Sequence, residues 1–120
     1  MAITYYGYPN CGSCKKAKSW LNAEGIEYHD VHIVETPPSK EELKKIVETS
    51  GFPLKKFFNT SGMKYRELGL KDKIPTMSDD EQLEMLASDG MLIKRPLVTD
   101  GEKVTLGFKD SDFAENWKRV

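Results

Sequence analysis

The chain has only two cysteines, at positions 11 and 14, and so lacks the long-range bridges that staple small secreted domains. It has no excess of either charge sign: 18 Lys and Arg stand against 19 Asp and Glu. That balance gives no reason to expect a nucleic acid or an acidic membrane as partner, although it leaves room for a local basic patch. Long hydrophobic runs are missing as well. No basic segment followed by an apolar stretch opens the chain, and nothing approaches the roughly 20 apolar residues of a membrane span. These absences predict a soluble, cytoplasmic protein whose cysteines serve redox chemistry rather than scaffold stabilisation. At 120 residues with 38% hydrophobic types, the chain is sufficient for one core and short for two, so a single domain over 1–120 is expected.

The pattern of residues predicts an order of elements. Ile3, Thr4, Tyr5 and Tyr6 read as a strand, broken by Gly7-Tyr8-Pro9-Asn10. Helical spacing follows through Cys14, Ala17, Trp20 and Leu21 and stops near Gly25, after which residues 26–31 can return as a parallel strand. Ser39 with Glu42 is a capping box for a helix carrying Leu43, Ile46 and Val47 to Gly51. Residues 53–70 suit several short helices, with Leu54, Phe57 and Phe58 in one buried turn and Tyr65 and Leu68 packing from another before Gly69. Ser78 and Glu81 form a second capping box, with Gly90 as the stop. Residues 91–98 are mostly apolar and read as a strand, Asp100-Gly101 is a hairpin turn, and residues 103–106 return antiparallel. Asp110 or Ser111 then caps a last helix with Phe113, Ala114 and Trp117 inward. The expectation is an α/β fold with a mixed, four-stranded sheet and a helical block inserted at about 53–90.

Cys11-Gly12-Ser13-Cys14 falls at the strand-to-helix junction. With Cys11 at the N-cap, its sulfur lies near unpaired backbone N–H groups and the positive end of the helix dipole, which stabilises a thiolate and lowers its pKa. Cys14, at N3, starts the apolar stripe and is expected to be more buried while reaching Cys11. Cys11 is thus the candidate nucleophile and Cys14 the candidate resolving thiol; Asn10 could instead be the cap, moving Cys11 one position inward. Lys15 and Lys16 add positive charge, and Gly12 keeps one flank open. A CxxC can also be half of a zinc site, but structural zinc takes four ligands, and the two histidines, His29 and His32, fall on or just after a strand, where packing or surface roles are commoner. No metal or cofactor is called for.

The run Tyr5-Tyr6-Gly7-Tyr8-Pro9-Asn10-Cys11-Gly12-Ser13-Cys14-Lys15-Lys16-Ala17, together with Ile93-Lys94-Arg95-Pro96-Leu97 and Val104-Thr105-Leu106-Gly107-Phe108, resembles the arsenate reductase/Spx family over essentially the whole chain. The resemblance implies a thioredoxin-like fold, a nucleophile at Cys11, and a cis Arg95-Pro96 bond beside it; sequence physics alone favours trans. Gly12, Ser13, Arg95 and Pro96 complete the expected substrate-binding set. In the glutaredoxin-coupled arsenate reductases of that family three arginines assist the oxyanion. Here one position is Arg95, another is Asn59, and the third falls in Gly107-Phe108-Lys109. Arg66 is out of register, and Lys55, Lys56 or Lys109 could act only as point charges, without the bidentate fork that orients such an anion.

Cys14 tilts the expectation toward an internal disulfide. The reading is a glutaredoxin-like thiol–disulfide oxidoreductase acting on a small thiol or a protein disulfide. The resemblance supplies two alternatives: an Spx-like redox-sensing regulator that binds RNA polymerase, through its alpha subunit, and a glutaredoxin-dependent arsenate reductase. No separate basic DNA-reading element is present, so no direct DNA binding is expected.

Overall fold

The structure, a computed structural model, describes residues 3–118. Strand β1 (Ile3–Gly7) is central, pairing in parallel with β2 (Tyr28–His32) and antiparallel with β3 (Leu97–Thr99). Strand β4 (Val104–Leu106) pairs antiparallel with β3, giving the order β2-β1-β3-β4. Helix α1 (Gly12–Ala23) links β1 to β2, and α2 (Lys40–Ser50) follows β2. Between α2 and β3 come α3 (Met63–Glu67), α4 (Leu70–Lys73) and α5 (Asp79–Ser88), with 3-10 turns at Leu54–Phe57, Ile74–Thr76 and Gly90–Leu92; α6 (Asp110–Trp117) closes the order. No described helix is long and apolar enough to cross a membrane.

The sheet divides the interior into two clusters because strand side chains alternate between its faces. Ile3, Tyr5 and Val98 join Cys14, Ala17, Leu21, Phe113 and Trp117 on the side of α1 and α6. Tyr6, Leu97 and Val104 join Leu43, Phe57, Phe58, Leu86 and Ile93 on the side of α2 and the helical block. On the first side the indole of Trp117 donates to Thr105 Oγ1 at 3.0 Å, which satisfies two buried polar groups at once.

Local signals set most boundaries. Both capping boxes form, Ser39 with Glu42 and Ser78 with Glu81. Helix α1 ends in a Schellman motif: Gly25 takes φ +68°, its N–H donates to Asn22, and the Ile26 N–H donates to Leu21 at 3.0 Å. That use of Ile26 delays β2 to Tyr28, two residues later than the pattern suggests, while the Ile26 side chain stays in the core.

Several expectations are corrected. The strand expected over 91–98 is present only from Leu97, because Lys94 N–H donates to Phe57 and Asn59 N–H donates to Leu92, each at 2.8 Å, binding this stretch to the helical block instead of the sheet. Gly90 is not a left-handed stop: a Cβ there would lie 2.0 Å from the Ile33 carbonyl oxygen, so close backbone approach requires the glycine. Leu68 is exposed and only Tyr65 packs from α3, its ring 6.4 Å from that of Phe58. Ala114 is exposed as well, since α6 presents Phe113 and Trp117, four residues apart, to the sheet. Neither Asp110 nor Ser111 caps α6, where Asp110 and Asp112 instead place negative charge in the first turn.

Candidate active site

Residues 8–11 leave the C-terminal end of β1 and turn into α1, with the Cys11 N–H donating to the Tyr8 carbonyl at 3.1 Å. Cys11 is the N-cap (φ −100°, ψ 120°), and its Sγ accepts the Cys14 N–H at 3.3 Å. A sulfur therefore occupies the place where a serine or aspartate oxygen usually satisfies an orphan helix donor. Asn10 is exposed and takes no part in the cap. Cys14 is 1% exposed, whereas Cys11 is partly open, and both thiols are free. Burial pushes the Cys14 thiol up to about 12, and its hydrogen bond with Cys11 adds to the rise; the Tyr8 N–H and the Tyr5 hydroxyl act in the opposite sense.

Tyr5 and Gly7 belong to this site, and the sequence reading did not single them out. The Tyr5 hydroxyl donates to the Cys14 carbonyl at 3.0 Å, and burial raises the phenol's pKa well above its usual range. A Cβ on Gly7 would fall 2.2 Å from that hydroxyl, so the glycine makes the space the phenol occupies. Strand alternation was the available signal, since Tyr5 faces α1 while Tyr6 faces the block. A cleft of about 400 Å³ reaches Cys14 between β1, α1 and β2, lined by Tyr5, Gly7, Tyr8, Lys15, Lys18 and Asp30. At its wall Lys18 pairs with Asp30 at 2.6 Å. His32 Nδ1 accepts the Val34 and Glu35 N–H groups and His29 is exposed, so the two histidines serve a turn and the surface.

Gly12 and Ser13 are exposed beside the pair, and nothing lies within 4 Å of a Cβ at Gly12. The Arg95-Pro96 bond is cis. Tyr6 pairs with Leu97, which sets Pro96 level with Gly7 at the end of the sheet from which the chain runs to Cys11. Arg95 is half-buried: Nη1 donates to the Met91 and Ile93 carbonyls at 3.2 and 3.4 Å, and the guanidinium lies 5.7 Å from the centre of the Tyr8 ring. Its buried Nε has no partner among the described residues. The structure thus gathers Cys11, Gly12, Ser13 and Cys14 at one helix start and sets Arg95 against the preceding loop, with main-chain oxygens already taking part of its fork. At the other arginine positions, Asn59 bonds through its backbone to Leu92, and Phe108 meets Phe113 edge to face with centroids 4.8 Å apart. Lys55, Lys56, Arg66 and Lys109 are exposed.

A mixed sheet in this strand order, with a CxxC at the first strand-to-helix junction and a cis-proline leading into the neighbouring antiparallel strand, defines a thioredoxin-like protein carrying a close cysteine pair. Within that class the chain belongs to the ArsC/Spx family, the ArsC family model matching residues 6–116. It is 68% identical over 117 residues to the uncharacterized protein YusI of Bacillus subtilis, covering 98% of this chain and 99% of the relative. It is 32% identical to the regulatory protein MgsR of the same organism, covering 98% and 91%. The crystal structure of an ArsC family related protein from Bacteroides fragilis superposes with a TM-score of 0.92 at 47% identity, covering 96% and 97%.

Proposed function

We propose that the protein is a glutaredoxin-like thiol–disulfide oxidoreductase. The observation that carries this reading is the cap itself: an accessible Cys11 sulfur accepts the Cys14 N–H at 3.3 Å, with the second thiol buried directly behind it. Cys11 as thiolate attacks one sulfur of an oxidised partner and expels the other as a thiolate. Cys14 then loses its proton and attacks Cys11 Sγ, which forms the Cys11–Cys14 bond and releases the partner's second thiolate. Two electrons pass from the pair to the partner, and two external thiols, themselves oxidised to a disulfide, return them. The Tyr8 N–H and the Tyr5 hydroxyl, which in the resting pair donates to the Cys14 carbonyl at 3.0 Å, both act against burial to favour the Cys14 thiolate needed for the second attack. Gly12 and Ser13 leave the approach to Cys11 open, and Pro96 borders it.

The test is a trap. Cys14→Ser should accumulate a mixed disulfide on Cys11, Cys11→Ser should accumulate none, and mild oxidation of the wild type should give a Cys11–Cys14 linkage in peptide mapping. Two persistently free thiols after oxidation, or equal trapping by both variants, rejects the assignment. With glutaredoxin and glutathione supplied, arsenate should be reduced poorly, because the three-arginine set is reduced to Arg95 and that side chain already bonds two carbonyls; robust arsenate-dependent turnover reverses this.

The similarity to the regulatory protein MgsR over almost the full chain favours a second reading, a regulator; for it we take the partner that the family resemblance implies, RNA polymerase through its alpha subunit, with the same disulfide as the sensor. Oxidation-dependent co-purification of the polymerase with wild type but not with Cys11→Ser distinguishes it from the enzyme.

A further inference from the structure

A groove of about 940 Å³ lies along β4 between the helical block and α6. Its lining carries Lys55, Lys56, Lys71, Lys94, Lys103 and Lys109, against two acids, Glu102 and Asp112. All six lysines are exposed, and among the described residues none forms an ion pair. In a chain of net charge −1 this is a concentration of one sign, and Phe52, Phe58 and Tyr65 give it an apolar floor, with Lys56 Nζ 5.4 Å from the centre of the Phe52 ring.

The groove is also lined by the edge strand of the sheet, β4, whose side chains are largely buried, Val104 at 7% and Thr105 at 6% exposure. Val98 pairs with Thr105, and the Gly107 N–H donates to the Pro96 carbonyl at 2.9 Å. Antiparallel pairs alternate between hydrogen-bonded and non-bonded, so Thr105 turns its N–H and C=O toward β3 while Val104 and Leu106 turn theirs away from it. Those outward groups have no hydrogen-bond partner among the described residues.

We propose that this groove docks an extended, acidic segment of a partner protein, which pairs with β4 as a fifth strand while its carboxylates meet the lysines. Sheet edges bind peptides by such strand addition, with main-chain bonds giving affinity and flanking side chains giving selectivity. A polypeptide is favoured over a nucleic acid by the outward carbonyls of Val104 and Leu106: these need donors at strand spacing, and a phosphodiester backbone offers acceptors. The proposal does not depend on the redox reading, since the lining includes neither cysteine.

The test uses three probes on the full chain: a fluorescein-labelled, end-blocked nonapeptide of alternating Glu and Val, the same peptide with every second amide N-methylated, and a single-stranded oligonucleotide of equal charge. The first should bind saturably in anisotropy titrations, weaken about tenfold or more between 0.05 and 0.5 M salt through screening, and slow amide exchange at Val104 and Leu106. The N-methylated peptide should bind at least about tenfold more weakly. Charge reversal at the exposed Lys55, Lys56 and Lys71 should weaken the first peptide about tenfold. Equal binding of both peptides, preference for the oligonucleotide, no effect of charge reversal, or no saturable binding would each overturn the proposal.

Discussion

Cys14 should react far more slowly than an ordinary thiol, and the lag can be worked from the structure. Its thiol is 1% exposed and raised from 9.0 to about 12, chiefly by burial. Because the thiolate is the nucleophile, a thiol raised to about 12 holds a population of reactive species at pH 7 on the order of 1,000-fold below that of a free cysteine. Iodoacetamide labelling followed by peptide mass spectrometry reads the two cysteines separately. Cys14 should label roughly 30-fold or more slower than a reference peptide, because the higher nucleophilicity of a high-pKa thiolate returns part of the loss, with a rate that keeps rising through pH 10 rather than levelling near 9. Tyr5→Phe removes a donor that lowers the Cys14 pKa, so it should shift the Cys14 profile further toward alkali. The same variant should slow release of the mixed disulfide and leave its formation on Cys11 unaffected. Labelling of Cys14 within tenfold of the reference at pH 7, in protein that remains folded by circular dichroism, would refute the reasoning.

The same shift predicts alkaline sensitivity with a definite sign. Between pH 9 and 12 the unfolded chain loses the Cys14 proton while the folded chain retains it, so this group lowers stability as pH rises through that window; urea titrations of wild type and Cys14→Ala should diverge above pH 9 and run parallel below it. Gly7→Ala drives a methyl group into the Tyr5 ring and should cost about 1–3 kcal/mol in the same assay, with part recovered when Tyr5→Leu is added. Gly90→Ala sets a methyl group against a main-chain oxygen that cannot rotate away and should cost about 3 kcal/mol, whereas Gly12→Ala, with open space around it, should stay within about 0.5 kcal/mol. Similar losses at both positions would discard the close-approach argument.

The sequence by itself determined what short-range chemistry controls. The two Ser-to-Glu capping boxes, the Gly25 stop and the placing of Cys11 at the N-cap each depend on groups within a few residues of one another, so spacing alone reveals them. The two-versus-three-and-four periodicity gave the order of strands and helices for the same reason. Tertiary structure decided what depends on partners distant along the chain. Apolar content marks residues 91–98 as buried, but only the approach of the helical block lets Phe57 and Asn59 take their hydrogen bonds and leaves the strand to begin at Leu97. Gly90 resembles a helix stop in sequence, and only the position of Ile33, more than fifty residues earlier, makes it a contact requirement. Arg95 reads as an anion ligand, yet the fold brings its guanidinium to the Met91 and Ile93 carbonyls and the Tyr8 ring. Tyr5 and Tyr6 are alike in sequence; the sheet gives one to the buried thiol and the other to the opposite core, because adjacent strand residues point to opposite faces and only packing says what each face meets.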